Sequence, residues 1–162
     1  NLNTTGAEFD NGASGYFRGT APNATVITMN DSSYNTSSRD YIAYCFKSVA
    51  GVCKVGTYEG NNNANGTYVN LGFTPAFFMA KNIDATGSWF IIDNKRGFNS
   101  ASNEAYLQAE STATETVGNV ADLLSDGVKW RTTGGGNASN TFIYIAMADI
   151  GGNGTLPPVY GR

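Results

Sequence analysis

Residues 141–148, Thr-Phe-Ile-Tyr-Ile-Ala-Met-Ala, run for eight positions without a charge or a turn former. In an extended chain successive side chains face opposite ways. Phe142, Tyr144, Ala146 and Ala148 therefore share one face, and Ile143, Ile145 and Met147 the other. A segment apolar on both faces reads as a strand covered from both sides. Residues 41–46, Tyr-Ile-Ala-Tyr-Cys-Phe, read the same way. Residues 76–83 and 88–92 form a further pair, joined by Asp84-Ala85-Thr86-Gly87 at hairpin length. Residues 120–125 and 128–133 flank Asp126-Gly127, expected to be a type I′ turn with positive φ at both central residues. In the second of these strands Val128, Trp130 and Thr132 alternate with Lys129 and Arg131, the pattern of a half-solvated sheet.

The rest of the chain is weaker in pattern. Glu8-Phe9, residues 15–18 and residues 25–29 are expected as short strands between polar turns. Residues 103–111 suit one or two helical turns capped by Asn103, or a short strand. About nine or ten short strands with hairpin connections imply an all-β fold, an antiparallel β-sandwich of lectin-like or jelly-roll appearance with at most one short helix. It is expected as one domain over residues 1–149. Residues 150–162, with Gly151-Gly152-Asn153-Gly154 and Pro157-Pro158, have linker chemistry. A first residue of Asn rather than Met points to a piece of a longer or processed polypeptide.

Composition narrows the chemistry. Asn, Thr, Ser and Gly make up 42% of the 162 residues, charged residues are 14%, and histidine is absent. Charge that sparse is well below the usual level of about 25%. Without histidine there is no Ser-His or Cys-His nucleophilic pair, no His general base and no His-ligated zinc or iron. Two cysteines exclude a four-thiolate site. Cys45 and Cys53 share parity in an extended segment, and either bridge adjacent strands or remain two half-buried thiols. Net charge is −3 and the ten basic residues are scattered, so no nucleic acid is expected as a partner. The longest near-apolar run is residues 142–148, far short of the roughly 20 residues of a membrane helix, so no membrane insertion is expected. No cofactor is implied. Seven Asn-x-Ser/Thr sequons occur, as they readily do in a chain this rich in Asn and Thr.

A series of segments resembles a known domain. It runs from residues 41–46 through Lys54-Val55-Gly56-Thr57-Tyr58-Glu59-Gly60-Asn61 to Leu71-Gly72-Phe73-Thr74-Pro75-Ala76-Phe77. It continues in residues 86–96 (Thr-Gly-Ser-Trp-Phe-Ile-Ile-Asp-Asn-Lys-Arg) and 123–129, and closes with residues 137–148. Together they resemble a β-sandwich domain that recurs in tail-fibre and related virion proteins of marine tailed bacteriophages, over residues 15–149. The resemblance implies a non-enzymatic virion module, located on the extracellular particle and surrounded by other virion proteins. It implies a homo-oligomer, a trimer as in fibres. The motifs are strand and turn determinants and bring no catalytic set with them. Cys53 and Trp130 depart from the pattern, where a small polar residue and an aliphatic or Phe are commoner.

The residues offer three site chemistries. Paired carboxylates could serve a glycosidase, with Asp93, Glu104 and Asp122 as the acids. Glu59-Gly60-Asn61-Asn62-Asn63-Ala64-Asn65-Gly66 spaces oxygen side chains as a calcium loop does, yet has one charged ligand and no glycine at the sixth position. An Asn/Gly turn accounts for it more simply. Glycan recognition fits best, because sugars offer C–H faces to aromatic platforms and hydroxyl arrays to short neutral side chains. The expected loops are residues 58–68, 84–88 and 132–140. The expected ligand-binding residues are Tyr58, Asn61, Asn63, Asn65, Tyr68, Asp84 and Trp130, and Trp89 is read as packing. The expected partner is a host-surface polysaccharide or other glycan; the alternative is a purely structural virion module, as capsid decoration or fibre shaft, without ligand.

Overall fold

A computed structural model describes residues 4–7, 23–29, 35–96 and 105–150. The chain divides into two units, Asn1–Ala7 with Phe46–Arg162, and Glu8–Cys45. Among the described residues the first unit holds nine strands, β1 (Cys53–Glu59), β2 (Tyr68–Asn70), β3 (Pro75–Asn82), β4 (Trp89–Asp93), β5 (Ala105–Tyr106), β6 (Thr116–Val117), β7 (Ala121–Leu124), β8 (Gly127–Trp130) and β9 (Thr141–Ala148). They form a four-stranded sheet in the order β1-β9-β3-β4, a three-stranded sheet β2-β8-β7, and the small pair β5-β6, all antiparallel. The fold is all-β, an antiparallel sandwich, with no helix among the described residues.

The alternation seen in the sequence builds the core. On β9, Phe142, Tyr144 and Ala146 are buried, and Ile143 and Met147 are exposed. Phe78 and Ala80 on β3, with Phe90 and Ile92 on β4, continue the same inner face. The three-stranded sheet answers with Val69, Ala121, Val128 and Trp130. Trp130 is fully buried, and its indole meets Tyr58, Phe78 and Phe90 of the opposing sheet at ring-centroid distances of 6.2, 6.3 and 6.1 Å. Trp130 is the side chain that joins the two layers.

Several expectations need correction. Residues 41–46 are in no strand, and Ile42 and Tyr44 are 82% and 81% exposed. An unbroken apolar run shows that a segment can be covered, and does not supply the cover. Residues 25–29 are likewise not a strand. The segment read as helix or short strand forms β5 over Ala105–Tyr106, while Asn103 and Glu104 lie outside the described residues. So do Glu8-Phe9, residues 15–18 and the tail from residue 151. Cys45 and Cys53 are free thiols.

The β7–β8 hairpin exists, but its turn is displaced. Leu124 pairs with Gly127, so the loop residues are Ser125 and Asp126 and Gly127 opens β8. Gly127 does not have positive φ; among the described residues the glycines that do are Gly51, Gly72, Gly134 and Gly135. Its small size is used differently. A Cβ at Gly127 would lie 2.3 Å from the Val69 carbonyl oxygen and 2.8 Å from Cε2 of Tyr68. The residue is glycine because β2 and the Tyr68 ring pass directly over it.

Tyr58 supplies a test of the core. Its ring stacks on Phe142 at 5.0 Å and its hydroxyl donates to the Gly136 carbonyl at 2.6 Å. Burial pushes this phenol well above the usual range near 10, against a smaller opposite effect of the adjoining Trp130 indole, whose N–H finds no hydrogen bond of good geometry. The folded protein thus holds the proton more tightly than the unfolded chain. Its contribution to stability is complete below pH 10 and is lost as pH rises beyond it. Tyr58→Phe is expected to cost about 1 kcal/mol at neutral pH and to flatten the alkaline fall in stability, measured by urea titration across pH. Part of the slope will remain, because burial raises the Tyr144 phenol as well.

Candidate functional site

The β1–β2, β3–β4 and β8–β9 loops meet at one end of the sandwich. Glu59 pairs with Thr141 and Asn82 with Phe142, so the ends of β1 and β3 and the start of β9 are neighbours. The Gly60 amide donates to the Asn140 carbonyl at 2.9 Å, and the Ile83 amide to the Thr141 carbonyl at 3.0 Å. The three loops expected to carry a site from the sequence are therefore brought together.

Asn137 organises that end. It is fully buried. Its Nδ2 donates to Asn61 Oδ1 at 2.9 Å and to the carbonyls of Asn63 and Thr132 at 2.9 and 2.8 Å. Its Oδ1 accepts from the amides of Asn61 and Thr67, both at 3.2 Å. The Asn62 amide donates to the Asn137 carbonyl at 2.7 Å, and Asn62, at φ 49°, accepts from the Gly134 amide at 2.8 Å. A single amide side chain thus satisfies backbone groups of two loops that would otherwise be buried without partners.

The spacing that resembled a calcium loop has a local cause. Asn61 Oδ1 accepts from the Asn63 amide at 3.1 Å, and Asn63 Oδ1 from the Asn65 amide at 2.8 Å. Each side chain closes a turn with the backbone two residues on, which sets the alternate positions. Among the described residues no three Cys, Asp or Glu side chains gather to hold a metal ion.

The seven expected ligand-binding residues separate on burial. Tyr58 and Trp130 are core residues beneath the loops and present no face to a ligand. Asn61 and Asn63 have exposed positions but spend their amide oxygens on the loop itself. Asp84 is exposed and accepts from the Thr141 amide at 2.7 Å, a bond that holds its carboxyl below the usual range. Asn65 is exposed, and its carbonyl accepts from Asn61 Nδ2 at 3.2 Å. Tyr68, 39% exposed, begins β2 three residues later.

Tyr68 lies on the outer face of the three-stranded sheet. Register aligns it with Lys129 of β8 and Asp122 of β7. Its ring crosses Gly127, and Asp126 lies at its hydroxyl; partial burial first, then this carboxylate, raises the phenol above its usual range. Lys129 Nζ donates to the Gly66 carbonyl. Arg131 Nε donates to Asp122 Oδ2 at 2.6 Å. One open aromatic ring is thus set among held donors and acceptors, with Asn65 at the loop side. Lys129 and Arg131 were not among the expected site residues, and Asp122 was named only as a candidate catalytic acid. For Lys129 and Arg131 the available signal was their alternation with Val128 and Trp130, which puts the two pairs on opposite faces of the strand.

The carboxylates considered for catalysis are held apart. Asp93, on β4, accepts from Arg96 Nε at 2.6 Å. Asp122 belongs to the other sheet and pairs with Arg131. Glu104 lies outside the described residues.

Comparison with curated proteins and with solved structures gives no match. Residues 1–150 match a family described as a domain of unknown function, DUF7483. With that match covering nearly the whole sequence, the chain belongs to the DUF7483 family.

Proposed function

We propose that this chain is a non-catalytic recognition module that binds host-surface glycan, carried on a tail fibre or similar appendage of a phage particle. The observation that carries the glycan reading is the exposed Tyr68 ring laid across Gly127, with Lys129 opposite it on β8 and the Asp122–Arg131 pair one strand further on. A sugar ring stacks its C–H face on such a platform while its hydroxyls meet the flanking polar groups. The phage setting rests on the ordered resemblance over residues 15–149. The absence of histidine, and the pairing of Asp93 and Asp122 with arginines, support a role without catalysis.

A structural virion module is the second reading, and one observation favours it. The Asn side chains of the β1–β2 loop are largely engaged in holding the loop. The two readings part in a direct experiment. The 162-residue chain, immobilised, is screened against host polysaccharide and a glycan array. Binding is expected, with Tyr68→Ala weakening it about ten-fold or more while the melting temperature stays close to that of the parent. No binding at millimolar sugar would leave the structural role. Weak affinity at one site still serves attachment when several copies act together.

A further inference from the structure

Side chains alternate along a strand, so Tyr68 and Asn70 of β2 share the outer face of their sheet with Lys129 of β8 and with Asp122 and Leu124 of β7. Gly127 stands between Asn70 and Leu124 in register and adds no side chain of its own; the Tyr68 ring extends over it. The ring thus points toward the β7–β8 turn, where the Asp126 carboxylate adjoins its hydroxyl. Asn70 and Leu124 are both exposed.

The polar groups of this face differ in what they have left to offer. Arg131 is bound to Asp122, its Nη2 2.5 Å from Oδ2. Lys129 donates to the carbonyl of Gly66, two residues before Tyr68 and away from the ring's hydroxyl end. Asp126 is exposed, and among the described residues no lysine or arginine pairs with it. Among those residues the Asn70 carboxamide also makes no hydrogen bond; only its backbone carbonyl is used, by Lys54 Nζ at 2.8 Å. What stays open is a ring, a carboxylate that only accepts hydrogen bonds and an amide that donates and accepts.

We infer that the sugar taken here is an uncharged one, which lays its C–H face on Tyr68, gives adjacent hydroxyls to the Asp126 carboxylate and meets the Asn70 carboxamide with a further polar group. This rests on the glycan reading above and adds the class of sugar and the two residues that select it. A sugar bearing carboxylate or sulfate brings negative charge to Asp126, while both cations of the face are already engaged. Hydroxyls donate to the same carboxylate without repulsion, and such charge-assisted hydrogen bonds are among the stronger ones. Leu124 adds apolar surface on the same face for the C–H groups of the sugar.

The immobilised full chain is titrated with neutral polysaccharides (dextran, mannan, galactan) and acidic ones (alginate, heparin), alongside the glycan array. Neutral ligands should bind, with an affinity that changes by less than about two-fold between about 20 and 500 mM NaCl, because no charge is neutralised on binding. Asp126→Asn and Asn70→Ala should each weaken that binding about ten-fold, with melting temperatures close to that of the parent. Binding confined to acidic ligands, and falling as salt rises, overturns the inference and leaves the glycan reading standing. Neutral binding that Tyr68→Ala abolishes but Asp126→Asn leaves unchanged does the same. No binding to any polymer or array member removes the glycan reading and this inference together. The comparison of neutral with acidic ligands at two salt concentrations uses the unmodified chain, so it decides the class of sugar even if a variant does not fold.

Discussion

Trp130→Ala is expected to destabilise the protein by about 3–5 kcal/mol and to lower its melting temperature by roughly 10 °C or more. The indole fills the space between the sheets, and three aromatic rings of the opposing sheet contact it. Its removal leaves a cavity that those rings, fixed on paired strands, cannot close. The environment is equally intolerant of added atoms. A Cβ at Gly136 would lie 2.1 Å from Trp130 Cη2, so Gly136→Ala is expected to cost a similar amount through overpacking. Denaturant titration of both variants measures this. A loss below about 1 kcal/mol for Trp130→Ala, the range of an ordinary substitution, would remove Trp130 from its role as the central packing element.

Asn137→Ala is expected to cost about 3–4 kcal/mol. Five side-chain hydrogen bonds vanish, and carbonyls and amides of both loops lose their buried partner. Asn137→Asp is the informative companion. Its oxygens keep the bonds from the Asn61 and Thr67 amides, but now face the Asn63 and Thr132 carbonyls with a negative charge. It is therefore expected to be no better than alanine at neutral pH. Amide hydrogen exchange locates the damage, with loss of protection at Asn61, Asn62 and Thr67 ahead of the β3–β9 ladder. If all amides lose protection equally, Asn137 supports the whole fold and not the loop end.

Much of the architecture was legible because alternation is a direct consequence of extended backbone. It located β3, β4 and β9 and put Lys129 and Arg131 opposite Trp130. It could not say which of those two faces met the core, since that depends on Tyr58 and Phe78, distant in sequence. Residues 41–46 show the converse limit, an apolar run that the fold leaves exposed. Gly127 was recognised as special for its φ, whereas the reason is the Tyr68 ring above it. At the site, the Asn61, Asn63 and Asn65 spacing was visible, but the side chain that gathers it, Asn137, lies over seventy positions away and carries no local mark. The Tyr68 surface was half legible: the tyrosine by its type, its charged neighbours only once strand register set them beside it.

The order of strands in the larger sheet also fixes the order of events at the ribosome. Among the described residues β9 is the last of these strands to be made, and it lies between β1 and β3. While residues 141–148 are still unmade, β1 has no strand to join and β3 is paired on one edge only. The β3–β4 and β7–β8 hairpins can close early, from near neighbours, but the sheet is sealed by contacts spanning more than eighty residues. Such long-range closure is slow, and unpaired strand edges are exposed to other nascent chains in the meantime. A polypeptide halted before Thr141 holds most of the core residues and lacks the strand that unites them.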